Sequence, residues 1–153
     1  MPQPNLLTIY NIEAGIGTSK SQDAWTYSKL EQGLDNVSEA LNEVIQQYFF
    51  MEDNGFARNH VTGMAPAFTF TGRRVQGDTA QDYIFSKKYK LDADRISSFQ
   101  LKVTDKSGSD PVVTTYTVDC TICNIQEFSG ASTDDSAISF ELRFNGAPTA
   151  ATT

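Results

Sequence analysis

Ile138-Ser139-Phe140-Glu141-Leu142-Arg143-Phe144 alternates apolar and polar side chains without interruption. A period of two puts Ile138, Phe140, Leu142 and Phe144 on one face and Ser139, Glu141 and Arg143 on the other. That is the pattern of a strand with one face in a core. The segment before it repeats the pattern, with Tyr116, Val118, Cys120 and Ile122 opposite Thr117, Asp119 and Thr121. Its apolar phase then slips to Cys123 and Ile125, the signature of a β-bulge. Further out, Phe99, Leu101 and Val103 alternate with Ser98, Gln100 and Lys102, ahead of a turn at Lys106–Pro111. Phe68 and Phe70 alternate with Thr69 and Thr71, and Trp25 and Tyr27 with Thr26 and Ser28, up to a stop at Gly33.

One segment reads as a helix, at about 79–88. Asp78 is a good N-cap, and Gln81, three residues on, is placed to reach back to its amide in a capping box. Asp82 lies toward the positive end of the helix dipole, Lys87 and Lys88 toward the negative end. Residues 36–51 carry two signals. Val37, Leu41, Val44, Ile45 and Tyr48 fall at helical spacing, yet Val44–Met51 is rich in β-branched and aromatic residues and stops at the turn dipeptide Asn54-Gly55. The second signal favours a strand at about 43–51. The expected fold is mainly β: an antiparallel sandwich or barrel of six or seven strands with one short helix. Its core domain is expected over 25–146. Residues 1–24, with Gly15, Gly17, Thr18, Ser19 and Ser21, read as a flexible arm, and 147–153 as a frayed tail.

The length of 153 residues suits one domain, and 39% hydrophobic against 20% charged residues is a globular composition. No apolar run reaches the roughly 18 residues of a membrane helix, so no membrane anchor is expected. Net charge is −7, unevenly spread: −6 over residues 1–53, +3 over 54–110 and −4 over 111–153. An acidic chain is a poor fit to phosphate-backbone binding as a main role, because that role needs a cationic face.

The residues that carry chemistry do not assemble into a site. His60, the one histidine, sits in the polar stretch 54–63 with no ligand or nucleophile at useful spacing. Cys120-Thr-Ile-Cys123 has redox spacing, but it lies on a strand and lacks both the helix N-terminus of a redox pair and a second ligand pair for zinc. Both cysteines read as core residues. Gly72–Gly77 followed by Asp78 and Thr79 mimics a phosphate loop, but Asp78 stands where the lysine is needed, which rejects nucleotides. Asp92, Asp94, Asp134 and Asp135 read as turn residues rather than calcium ligands. No catalytic, cofactor or metal residues are therefore assigned, and no enzyme is expected.

The run Phe68-Thr-Phe-Thr-Gly72-Arg-Arg-Val-Gln-Gly77-Asp78-Thr-Ala80-Gln81-Asp82-Tyr-Ile84-Phe85-Ser86, with Ser97-Ser-Phe-Gln-Leu-Lys-Val103 after it, resembles the major tail tube proteins of tailed bacteriophages. The match is close over about 66–104, and its core is Gly77, Asp78, Ala80, Gln81 and Asp82. The resemblance implies a β-sandwich or barrel of the kind also used by type VI secretion ring proteins. It further implies a virion tail protein, made in the host bacterial cytoplasm, whose copies form hexameric rings stacked into a tube that delivers DNA. Its expected partners are further copies of itself, a tail terminator, tape-measure and distal tail or baseplate proteins, and viral DNA in transit only. The inner tube of a contractile tail or injection device would fit the same residues. A carbohydrate-binding sandwich is the reading from another class, although Trp25 is the only tryptophan. In a tube, one polar strand face looks into the channel. Thr117, Asp119, Thr121, Ser139 and Glu141 are the lumen candidates, on the expectation that an acidic wall keeps DNA mobile.

Overall fold

The computed structural model of the chain describes residues 4–153. These form ten strands and one α-helix: β1 (Glu13–Ser21), β2 (Ala24–Lys29), β3 (Leu34–Ala40), β4 (Val44–Tyr48), β5 (Arg58–Gly63), β6 (Ala67–Arg73), α1 (Thr79–Ser86), β7 (Ile96–Asp105), β8 (Val112–Gln126), β9 (Ala137–Phe144) and β10 (Thr149–Thr152). Seven strands make one antiparallel sheet in the order β2-β1-β7-β8-β9-β6-β3, with β10 added along the first half of β8. β4 and β5 pair only with each other.

The sheet rolls up around its apolar face. Phe68 of β6 packs at a tilt against Phe99 of β7 with ring centroids 5.2 Å apart, although β8 and β9 lie between them in the sheet. Phe70 and Phe140 stack at 5.3 Å, and Ile16, Cys120, Ile122 and Leu142 complete a dry interior. Helix α1 plugs the roll with Ala80, Ile84 and Phe85. The alternating segments read from the sequence are therefore β6, β7, β8 and β9, and the bulge lies where the phase slips, between Cys123 and Gln126. Asn124 takes up the extra residue at φ 52°.

Five expectations need correction. The arm expected over 1–24 gives way to a strand at residue 13, and residues 1–3 lie outside the described ones. β1 runs through the rest, paired on both sides, with Ile16 fully buried. One of its small residues has a packing cause: a Cβ on Gly17 would stand 2.6 Å from the Trp25 ring. Aromatic side chains of β2 cover a strand that has little side chain of its own. The tail of 147–153 is not frayed, since β10 pairs residue for residue with Thr114–Thr117 of β8. β3 runs into the ambiguous stretch as far as Ala40, after a bulge between Leu34 and Asn36. His60 lies on β5 rather than in a loop. The helix ends at Ser86, with Lys87 as its C-cap.

Candidate assembly surfaces

The motif at 72–82 sets the end of the roll. Gly72 allows a close backbone approach, because a Cβ there would lie 2.2 Å from the Gly33 carbonyl oxygen. Gly33 itself has φ +78° and accepts a hydrogen bond from Arg73 N at 2.7 Å. Gly77, at φ +93°, turns the chain into α1, and the Asp78 carboxylate caps the helix by accepting from Gln81 N at 3.1 Å. The second half of the expected capping box does not form. The Gln81 side chain is fully buried and points elsewhere. Its Nε2 donates to Gln32 O (2.8 Å) and Arg73 O (3.1 Å), and its Oε1 accepts from Val75 N (2.8 Å) and Arg74 Nη1 (3.3 Å). All four of its hydrogen-bonding positions are used to tie three chain segments together.

Arg74 extends this knot. Its guanidinium bonds Asp82 and Glu127, each at 2.8 Å, and lies over the Phe85 ring at 4.9 Å. Lys88 closes on the other Glu127 oxygen at 2.6 Å. Burial works to raise the Glu127 carboxyl, but the hydrogen bonds from Lys88 and Arg74 outweigh it and hold its pKa below the ordinary value. Glu127 carried no sequence signal, because it lies on the β8–β9 connection while its partners Arg74 and Lys88 follow β6 and α1.

The polar face of the sheet gathers the lumen candidates. Thr117, Asp119 and Thr121 of β8 and Ser139 and Glu141 of β9 all point away from the core, with Asp119 exposed and the others half-buried. Around them lie Ser98, Gln100, Thr69 and Thr71. Tyr27 lies on the same face, its hydroxyl 2.7 Å from that of Ser98. The face is not acidic. Glu141 accepts hydrogen bonds from Arg143 Nε and, at 3.4 Å, from Asn124 Nδ2. That bond and the charge of Glu141 raise the Arg143 pKa above its ordinary value. Lys29 stands 4.0 Å from Glu13. Across β2, β1, β7, β8 and β9 the face sets Glu13, Asp119 and Glu141 against Lys20, Lys29, Lys102 and Arg143. Cys123 is half-buried on this face rather than in the core, while burial pushes the Cys120 thiol up to about 12.

The β4–β5 hairpin stands apart from the roll. Tyr48 and Phe50 stack at 5.5 Å on one of its faces, with His60 edge-on to Tyr48 at 5.9 Å. Val61 faces out beside Ile45 on the other.

No family model matches the chain, and no curated protein does. Solved structures share its fold. A chain in the tail of an empty GTA (gene transfer agent) particle, determined by helical refinement with C6 symmetry, matches with a TM-score of 0.68 at 11% identity, over 97% of this chain and 98% of that one. A chain of the anti-feeding prophage cap, which terminates its tube, matches at 0.61 and 12%, over 100% and 95%. One in the sheath–tube complex of PVC, an extracellular contractile injection system, matches at 0.58 and 10%, over 97% and 92%. The fold is thus one found in phage-like tails and contractile injection systems, as the sequence motif implies.

Proposed function

We propose that this chain is a structural subunit of a phage-type tail tube, whose copies close into hexameric rings that stack around a channel for DNA. One observation carries the reading beyond the shared fold. The rolled sheet presents a broad outward face of hydroxyl and amide side chains, with Glu141 and Arg143 joined on the face itself. Elsewhere on it Glu13 and Asp119 are interspersed with Lys20, Lys29 and Lys102, so DNA meets mixed signs rather than the unbroken cationic array that holds it by counterion release. In the tube, Thr117, Asp119, Thr121, Ser139 and Glu141 line the lumen. The chain's ends of growth meet a terminator and the distal tail proteins, and a tape-measure protein occupies the channel before DNA does.

Electron microscopy of the concentrated protein in negative stain tests the proposal. Hollow tubes whose end-on averages are six-fold support it, and monomers without rings at every concentration overturn it. Likeness to the tube-terminating cap supports a second reading, in which the subunit forms a ring that does not stack. Isolated rings without tubes in the same micrographs favour that reading.

A further inference from the structure

Asn54-Gly55 and Asn145-Gly146 are the two places in the chain where asparagine precedes glycine. The dipeptide is a chemically weak point. An asparagine amide is labile, and a following glycine has no Cβ to keep its backbone nitrogen away from that side chain. In sequence the two sites are alike. In the fold they are not.

Asn145 follows β9 and is held at two points. Its backbone N–H donates to Asp119 O and its Nδ2 to Thr121 Oγ1, each at 2.7 Å. Both contacts fix it against β8. Asn54 lies at the tip of the β4–β5 hairpin, beyond the last paired residues, Tyr48 and Arg58. It is exposed and left-handed, with φ 52° and ψ 42°. Its own N–H donates to Met51 O at 3.3 Å, and Phe56 N–H closes the turn on Asp53 O at 3.1 Å. Among the described residues, none bonds the Asn54 side-chain amide or the Gly55 N–H. A Cβ on Gly55 would meet no atom within 4 Å. Both reacting groups are therefore free to turn without displacing a neighbour.

We infer that Asn54 is a site of spontaneous covalent modification, and that the fold directs the reaction there and away from Asn145. The Gly55 backbone nitrogen attacks Asn54 Cγ. A C–N bond forms, the Cγ–Nδ2 bond breaks, and Nδ2 leaves as ammonia with the proton of the Gly55 amide. The product is a cyclic imide. Water then opens it at either carbonyl, giving aspartate or, with the main chain rerouted through Cβ and Cγ, isoaspartate. The step needs no oxidant, reductant or enzyme. Both products place a carboxylate at residue 54 beside Glu52 and Asp53, where Arg58 is the only base between residues 51 and 58. Isoaspartate also adds an atom to the main chain inside the turn that Phe56 N and Asp53 O close. Asn145 must break both of its hydrogen bonds to reach the same geometry, which slows it about tenfold or more relative to Asn54.

The reaction needs no assembled partner, so the free full-length chain carries the test. Folded protein is kept warm in mildly alkaline buffer, sampled over days, digested and mapped by mass spectrometry. An isoaspartyl methyltransferase with a radioactive methyl donor detects the rerouted chain. The Asn54 peptide should gain the mass difference between an amide and an acid, and accept the methyl group, about tenfold or more faster than the Asn145 peptide. The same chain unfolded in guanidinium chloride should bring the two rates together. Asn54→Gln should abolish the fast reaction, leave the slow one at Asn145 as it was, and leave the unfolding curve unchanged. Equal rates at the two sites of the folded chain, or a faster one at Asn145, would overturn the inference. So would an Asn54 that keeps its amide when folded and loses it only in denaturant, because the fold would then protect this site too.

Discussion

Replacing Gln81 separates hydrogen bonding from packing at the point where the roll is tied. Gln81→Ala removes partners from Val75 N, Gln32 O, Arg73 O and one Arg74 nitrogen, all next to a fully buried position. Arg73 O also faces Gly33 at close range, so little water can enter to replace the lost donor. Three backbone groups left unpaired at about 1 kcal/mol each, the low end of the usual penalty, give a loss of about 3 kcal/mol. The void adds about 1 kcal/mol more. Gln81→Met keeps the volume and removes only the polar atoms, so it should lose about 3 kcal/mol. The total for Gln81→Ala is a large part of the roughly 5–15 kcal/mol that hold an ordinary domain folded. Urea unfolding followed by circular dichroism measures both variants, at concentrations low enough that assembly does not add to stability. Equal m-values would show that the same surface is exposed in each case. A Gln81→Met variant within 1 kcal/mol of the native chain would refute the claim that these bonds tie the three segments. An alanine loss far above the methionine loss would assign the role to volume instead.

Other perturbations test neighbouring claims. Gly72→Ala puts a Cβ 2.2 Å from the Gly33 carbonyl oxygen, so the β3–β6 contact must open; the expected loss is about 3 kcal/mol or more, read from the same unfolding curves. Glu127 has a folded pKa below its unfolded value, so its contribution is complete above about pH 4.5 and fades as pH falls through the lowered value. Glu127→Gln should therefore melt well below the native chain at pH 7, with the gap narrowing toward pH 3, and a gap that does not change with pH would refute the assignment. Asp119→Lys together with Glu141→Lys removes two negative charges and adds two positive ones, shifting the polar face of each subunit by +4. Virions carrying both should assemble, adsorb and deliver DNA poorly, most of all at low salt; unimpaired delivery would count against placing these residues in the channel.

How far the sequence could be read depended on where each strand's apolar face came to rest. β9 and the second half of β8 each turn one face into the core and one to solvent, so their alternation survives in the sequence and their places follow from it. β1 has the same role but none of the pattern. Its core face holds Ala14 and Ile16, and on its other face the Trp25 ring lies against Gly17 while Tyr27 reaches across to Ser98. A strand completed by its neighbour's side chains looks like a linker when read alone. β5 lacks the pattern for the opposite reason, since Arg58-Asn-His60-Val-Thr-Gly63 has no core to face and pairs only with β4. The same holds at the knot. Asp78 was legible because a helix cap is a local device. Gln81 lies on the helix, but its side chain leaves the expected capping box and bonds Gln32 and Arg73, which only the fold brings near. Glu127 meets Arg74 and Lys88 across separations of 53 and 39 residues, too far for any spacing rule.

The polar face also shows why an acid at the centre of a strand does not make an acidic surface. Glu141 stands in the middle of the cleanest polar face in the sequence, with Arg143 two residues along the same strand and therefore on the same side. A period of two that sorts apolar from polar residues also sets like-facing charges next to each other. When their signs differ, they pair on the sheet rather than project a field from it. The exposed pair adds little stability, and its effect is on what the surface presents to a passing charge. A conduit for a polyanion needs a wall that does not bind, and local neutrality meets that need without the repulsion that many stacked carboxylates would impose on one another. Asp119 is the acid on β8 and β9 without a basic partner on this face. If the face lines a channel, the field that DNA meets there comes from Asp119 more than from Glu141, so Asp119→Lys alone should reproduce most of the delivery defect of the double change.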